Sequence, residues 1–183
     1  MQDLSLHILD IVENAIASKA SHVAIRITED PEQNQLIVEI EDDGRGIPAH
    51  LLDKVVDPFF TTRSTRKVGL GLSLLQQAAQ ACDGDLKIQS VKGKGTLVRA
   101  QFRYDHIDRK PLGDMASTMV TLVAGNPQMD FHYAHRKGDR SFVFDTVEIK
   151  RELDDVPINH PKVIQFIREE IHKGLRELGL LVL

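Results

Sequence analysis

Cysteine is almost missing from this chain, with Cys82 the only one in 183 residues. That excludes an internal disulfide framework and fits a reducing compartment. Long apolar runs are missing as well, none approaching the roughly 18 residues of a membrane span. The N-terminal "MQDLSLHILD" lacks a basic segment followed by an apolar one, so it does not read as a secretion signal. These absences predict a cytoplasmic protein with no membrane partner. Basic charge is not in excess: 23 Lys and Arg stand against 27 Asp and Glu. No positive face for nucleic acid is announced. The phosphate-binding pattern G-x-x-x-x-G-K-[ST] does not occur either. What is present is 42% apolar residues, enough for a packed core, in a length that suits one large domain or two small ones.

Periodicity supplies the elements. "LSLHILDIVENAIASK" repeats apolar residues at helical spacing, with Leu9, Val12 and Ile16 on one stripe. "HVAIRITED" and "NQLIVEIED" alternate in period two around "PEQN" and predict a hairpin. A second helix is predicted over 71–81, followed by a strand, glycine turn and strand in "GDLKIQSVKGKGTLVRAQFRY". The polar stretch "DHIDRKPLGD" then predicts a linker at 105–112. Beyond it come a short helix stopped at Gly125, a hairpin in "DFHYAHRKGDRSFVFDTVEI" around Lys137, Gly138 and Asp139, and an amphipathic helix capped by Asn159 and ended by Gly179. The expected fold class is α+β: a mixed, mostly antiparallel sheet covered by helices on one face over 1–104, then a small α/β domain over 113–183.

Residues 41–80 concentrate the chemistry. One glycine cluster, Gly44 and Gly46, follows an apolar strand, and another, Gly69 and Gly71, opens a helix. Missing side chains let a ligand lie against backbone, and helix-start amides favour phosphate. Arg63, Arg66 and Lys67 add positive charge just before the second cluster, although a charge run is also what a solvated loop carries. Asp42, at a strand end, can accept the amino hydrogen of adenine. Asp10 and Asn14 are four apart on the first helix and point from one face. A carboxylate beside an amide oxygen suits a magnesium ion shared with phosphates, and a solvated helix face is the other reading of the pair.

Together these segments resemble the Bergerat ATP-binding domain shared by DNA gyrase, heat-shock chaperone ATPases, sensor histidine kinases and mismatch-repair ATPases. "DIVENA" at 10–15 and "DDGRGI" at 42–47, which ends at Ile47, are similar to its first two motifs. "DPFFTTR" at 57–63 is similar to the phenylalanine motif of the histidine-kinase branch, with Phe59, Phe60, Thr62 and Arg63. "GLGLSL" at 69–74 resembles the last glycine motif, with Gly69, Leu70, Gly71 and Leu72. The resemblance covers residues 1 to about 103. It implies that ATP and Mg2+ bind, that Asn14 holds the metal, that 61–68 form a lid, and that Thr96 bonds near Asp42 and the adenine; a threonine starting a strand is an equally good reading of Thr96. Histidine kinases commonly carry Asn where Asp10 stands, whereas the gyrase and mismatch-repair relatives carry a glutamate base, so Asp10 is the candidate catalytic residue.

The chain starts on the first motif, and no helical hairpin bearing a phosphoacceptor histidine is expected ahead of it. "HIDRKPL" at 106–112 has the acceptor-box spacing, but Ile107 stands where an acid should. His132 and His135, three apart on a strand, face opposite sides and make no metal pair; core-edge or exposed positions are expected for them. Two functions compete. One is a kinase-like enzyme or slow ATPase passing the γ-phosphoryl of Mg-ATP to a regulatory partner protein. The other is a nucleotide-gated binding module with little catalysis. A homodimer is a further option, to which the apolar end "LLVL" contributes.

Overall fold

The computed structural model describes residues 2–52, 54–57 and 70–180, Leu70 by its backbone alone. Helix α1 spans Leu4–Ala17 because apolar residues recur at helical spacing and Asp3 caps it, accepting from the Leu6 N–H at 3.1 Å. Strands β1 (His22–Asp30) and β2 (Gln35–Asp42) form the expected hairpin, with Asn34 left-handed at φ 55° in the turn. Helix α2 (Leu70–Gln80) leads to β3 (Asp85–Val91) and β4 (Gly95–Arg103). Helix α3 (Met115–Gly125), capped by Asp114, precedes β5 (Asp130–Lys137) and β6 (Arg140–Asp145), then α4 (Thr146–Glu152) and α5 (Pro161–Glu177).

The six strands form one mixed sheet in the order β3-β4-β2-β1-β5-β6. All neighbours are antiparallel except β1 and β5, which run parallel from His22 opposite Asp130 to Glu29 opposite Lys137. The expected separation at 105–112 is therefore not a break in the sheet, because residues beyond 113 extend it through β5. Nor does 105–112 run as a plain linker. It returns to α1, whose first-turn Leu4 and Ser5 N–H groups donate to the Pro111 and Leu112 carbonyls at 2.9 and 2.8 Å. Those amides have no partner inside the helix, so the strap completes its N-terminus.

The core lies on one face. Val23, Ile25 and Ile27 of β1, Leu36, Val38 and Ile40 of β2, Val98, Ala100 and Phe102 of β4, and Phe131 and Tyr133 of β5 are buried at alternate positions. Against them pack Leu4, Ile8, Ile11, Val12 and Ala15 of α1, Leu75 and Ala79 of α2, Met115 and Met119 of α3, and Ile167 and Ile171 of α5. Leu9 and Ile16 sit at the margin of this core, so the deepest stripe of α1 is rotated from the expected one. The opposite face carries charge, including an Arg26–Glu41 pair at 2.8 Å.

Two local expectations are corrected. "TVEI" continues as helix α4, because Asp145 caps it through the Val147 N–H at 2.8 Å and the Thr146 hydroxyl takes the Phe131 N–H. His160 caps α5 in place of Asn159, with Pro161 in the first turn. His135 is also corrected: it is fully buried, whereas His132 bonds Asp145 on the other face at 3.0 Å.

His135 is tolerated inside because its bonds are complete. Its Nε2 meets Glu29 Oε1 at 2.7 Å and its Nδ1 meets the Tyr133 hydroxyl at 2.9 Å. Tyr104 donates to the other Glu29 oxygen at 3.2 Å. Burial alone would raise the Glu29 carboxyl, but the bonds from His135 and Tyr104 hold it below the ordinary value. Glu29→Ala leaves His135 and Tyr104 without their acceptor in the core and is expected to cost about 3 kcal/mol. Urea unfolding of the variant checks this.

Candidate functional site

The site is built at the end of the sheet where β2 finishes and β4 begins, with Asp42 opposite Thr96. Asp42 Oδ1 accepts from the Gly44 N–H at 2.8 Å. Burial pushes its carboxyl above the usual carboxylate range, the bonds from Gly44 and Thr96 offsetting part of that.

Asp43 has a different task. Its carboxylate accepts from the Ser21 N–H at 2.7 Å, the His22 N–H at 2.9 Å and the Ser21 hydroxyl. These bonds tie the second motif to the start of β1. Arg45 extends the tie to the end of α1, its N–H donating to Ser18 O at 3.0 Å and its guanidinium to Ala17 O at 3.1 Å.

The glycines here are required by the chain itself. Gly46 has φ +63°, and a Cβ on it would stand 2.1 Å from the Val91 carbonyl oxygen. Gly95 has φ +105°, and a Cβ there would stand 1.8 Å from the Asp42 carbonyl oxygen. Backbone packs on backbone at both places, which only glycine permits. Ile47 follows, its N–H donating to Ser90 Oγ at 2.7 Å.

The second half of the site is the meeting of α1 and α2. Asp10 and Asn14 lie half-buried on one flank of α1, as their spacing requires. Gly71, in the first turn of α2, faces both: a Cβ there would lie 3.4 Å from Asp10 Cβ, 3.7 Å from Asp10 Oδ2 and 3.8 Å from Asn14 Nδ2. The sequence-distant first and last motifs are thereby brought together, beside the amides that open α2. Leu72 is half-buried and packs on the core. Phe59, Phe60, Thr62, Arg63, Arg66, Lys67 and Gly69 lie outside the described residues, as does the Leu70 side chain.

Sequence reasoning missed Ser21, Asp43 and Ser90. Ser90 was findable, since it sits directly across from Thr96 once the β3–β4 hairpin is drawn. Two other candidates are distant or inert. His106 lies past the far end of β4, and the seven residue steps from Thr96 to Arg103 span roughly 23 Å of strand. Its Nδ1 accepts from the Asp108 N–H at 3.1 Å, so in its neutral form Nε2 carries the proton. Cys82 is buried, and burial pushes its thiol pKa up. Among the described residues no cluster of three or more His, Cys, Asp or Glu could hold a metal ion, and no helix is long and apolar enough to cross a membrane.

Comparison with known proteins supplies the family. The family described as histidine kinase-, DNA gyrase B-, and HSP90-like ATPase matches residues 2–106, and the chain belongs to it. Its domain binds ATP. The chain is 33% identical over 111 residues to the sensor histidine kinase WalK of Bacillus subtilis, covering 56% of this chain and 18% of WalK. It is 39% identical over 89 residues to the signal transduction histidine-protein kinase AtoS of Escherichia coli, covering 48% of this chain and 14% of AtoS. The chain thus spans less than a fifth of either relative. In fold it is similar to the N-terminal domain of a DNA repair protein, with a TM-score of 0.57 and 13% identity, covering 96% of this chain and 59% of that one.

The Asp43 bonds generate a prediction. Burial works against its charge, but the bonds from Ser21 and His22 outweigh it and hold the carboxyl below its ordinary 3.8. A depressed carboxyl stabilises the fold above the unfolded-state value, and that contribution is lost as pH falls through the folded-state value. Asp43→Asn is expected to lower stability by about 1 kcal/mol at neutral pH, a modest figure because the side chain is exposed. Thermal unfolding at several pH values should show the gap to wild type closing below pH 3.8.

Proposed function

We propose that this chain is a kinase-like phosphotransferase or slow ATPase that acts on Mg-ATP, with Asp10 as the general base. The observation that carries this reading is Gly71 lying against both Asp10 and Asn14, which puts a carboxylate and a side-chain amide beside the amides opening α2. Asp42, Gly44, Gly46, Ile47 and Thr96 would seat the adenine, Gly71 and its neighbours the phosphates. Phe59, Phe60, Thr62, Arg63, Arg66, Lys67, Gly69, Leu70 and Leu72 are assigned to the same nucleotide from the motif resemblance alone.

The donor set fits magnesium, since carboxylate and amide oxygens are hard ligands and a phosphate-bound ion needs only one or two of them from the protein. Asn14 would hold it, and the bound ion would neutralise phosphate charge. Asp10 would take the proton of the attacking hydroxyl as its oxygen bonds to the γ-phosphorus and the bond to the ADP oxygen breaks. The attacking group belongs to water in an ATPase and to a regulatory partner protein in a kinase. The relatives are named as histidine kinases, which supports the second.

The other reading is a nucleotide-gated module that binds its partner differently with and without ATP. It is favoured by the placement of His106, whose Nε2 is not a free lone pair in the neutral ring and which sits past the opposite end of β4 from Thr96. A homodimer fits either reading. The division proposed here is functional: residues 1–104 handle nucleotide, and 113–183 form a small α/β unit that adds β5 and β6 to the same sheet.

Incubation with labelled ATP and magnesium, alone and with candidate partner proteins, separates these readings by where the label goes. Asp10→Asn should keep ATP affinity within a few-fold while phosphate release or transfer falls by about 100-fold to 10,000-fold. Asn14→Ala should weaken magnesium-dependent binding and remove turnover. Loss of ATP binding in Asp10→Asn would assign both residues to the metal. Absence of turnover in the wild type, with partner binding intact in Asp10→Asn, would leave the gated module standing.

A further inference from the structure

We propose that Ser90 sets the base preference of the nucleotide site by fixing the direction in which the Thr96 hydroxyl donates. The inference rests on the reading of Asp42 and Thr96 as the adenine end of the site. Ser90 faces Thr96 across the β3–β4 pair. Among the described residues its Oγ has three polar neighbours: the Gly95 carbonyl oxygen at 2.8 Å, the Ile47 N–H at 2.7 Å and Thr96 Oγ1 at 2.8 Å.

A hydroxyl has one proton and two acceptor positions. The Gly95 carbonyl can only accept, so it takes the Ser90 proton. The Ile47 N–H can only donate, so it fills one lone pair. What remains for Thr96 is the second lone pair, and the Thr96 hydroxyl must donate to it. Reversing that bond would leave the Gly95 oxygen facing a bare Ser90 oxygen at 2.8 Å. Thr96 therefore offers a ligand lone pairs alone.

Asp42 stands opposite Thr96 and, ionised, also only accepts. Two acceptors side by side suit a 6-aminopurine, directly or through a water that donates to them. A 6-oxopurine brings an oxygen to the same place with no donor to meet it. Asp42 alone would leave a loophole, since a freely rotating Thr96 hydroxyl could turn its proton to that oxygen. Ser90 closes it.

ATP and ITP, which differ at the base through the amino-to-oxo exchange, are the probes, with affinities measured by calorimetry. The wild type should prefer ATP, and Ser90→Ala should reduce the ATP/ITP preference about tenfold, chiefly by improving ITP relative to ATP. In a Thr96→Val background Ser90→Ala should change the preference no further, because there is no hydroxyl left to direct. Equal weakening of both nucleotides by Ser90→Ala, or the same loss of preference with Thr96→Val present, overturns the proposal and leaves Ser90 as loop support. Should Ser90→Ala fail to fold, the comparison passes to Thr96→Ser, expected to keep the preference, and Thr96→Val, expected to lose part of it; full preference in Thr96→Val also overturns the proposal. Asp42→Asn identifies the level of failure. Unchanged ATP affinity there removes the adenine reading itself, whereas a weakened Asp42→Asn beside an ordinary Ser90→Ala removes Ser90 alone.

Discussion

The functional end of the molecule depends on backbone packed directly on backbone. Gly46 lies on the Val91 carbonyl and Gly95 on the Asp42 carbonyl, each at a distance that a single methyl group would abolish. These contacts lock the second motif to the turn between β3 and β4, and the bond from the Gly93 N–H to Arg45 O at 2.7 Å closes the same junction. With the strand ends held, Asp42 and Thr96 face each other at fixed register. A carboxylate in such a place is costly to bury unless its bonds are directed, and the Gly44 amide supplies one of them. The rigidity of the site is thus a property of main chain more than of side-chain packing.

Much of this was legible in the sequence, and the parts that were not share a physical cause. Alternation in "HVAIRITED" and "NQLIVEIED" gives the hairpin because both strands have one buried face. The spacing of Asp10 and Asn14 gives their common flank because a helix returns after four residues. Parallel pairing of β1 with β5 is not legible in that way, since its partners lie more than 100 residues apart and no local pattern encodes the choice. The same holds for His135, whose burial depends on Glu29 arriving from β1. Glu29 did leave a trace. It continues the inward series Val23, Ile25, Ile27, and a carboxylate on an inward position calls for an interior partner. The glycines were read as room for a ligand, whereas Gly46 and Gly95 are needed by the fold before any ligand enters.

The strap at 105–112 shows how a polar, proline-bearing segment can be structural. Its start is held by Asn34, which bonds Asp105 through both side-chain groups, and Arg109 lies 5.0 Å over the Tyr104 ring. Its end supplies the Pro111 and Leu112 carbonyls to α1. Composition predicts a linker here because such residues form no regular element. Regular structure is not what the segment contributes; it provides acceptors for amides that a helix start always leaves unpaired.

Helix α1 is consequently the element on which the separate parts converge. Its first turn is completed by the strap, its middle carries Asp10 and Asn14 against Gly71, and its last carbonyls, Ala17 and Ser18, receive Arg45 from the second motif. A helix is stiff along its axis because its bonds repeat every residue, so a position fixed at both ends is fixed in between. Asp10 and Asn14 therefore need no loop to place them; they are set relative to Asp42 through α1 itself. The C-terminal half takes part in this, since α3 follows directly from the strap and β5 pairs with β1. The residues beyond the strap are thus joined by main-chain bonds to the same frame that holds Asp10 and Asn14 beside α2.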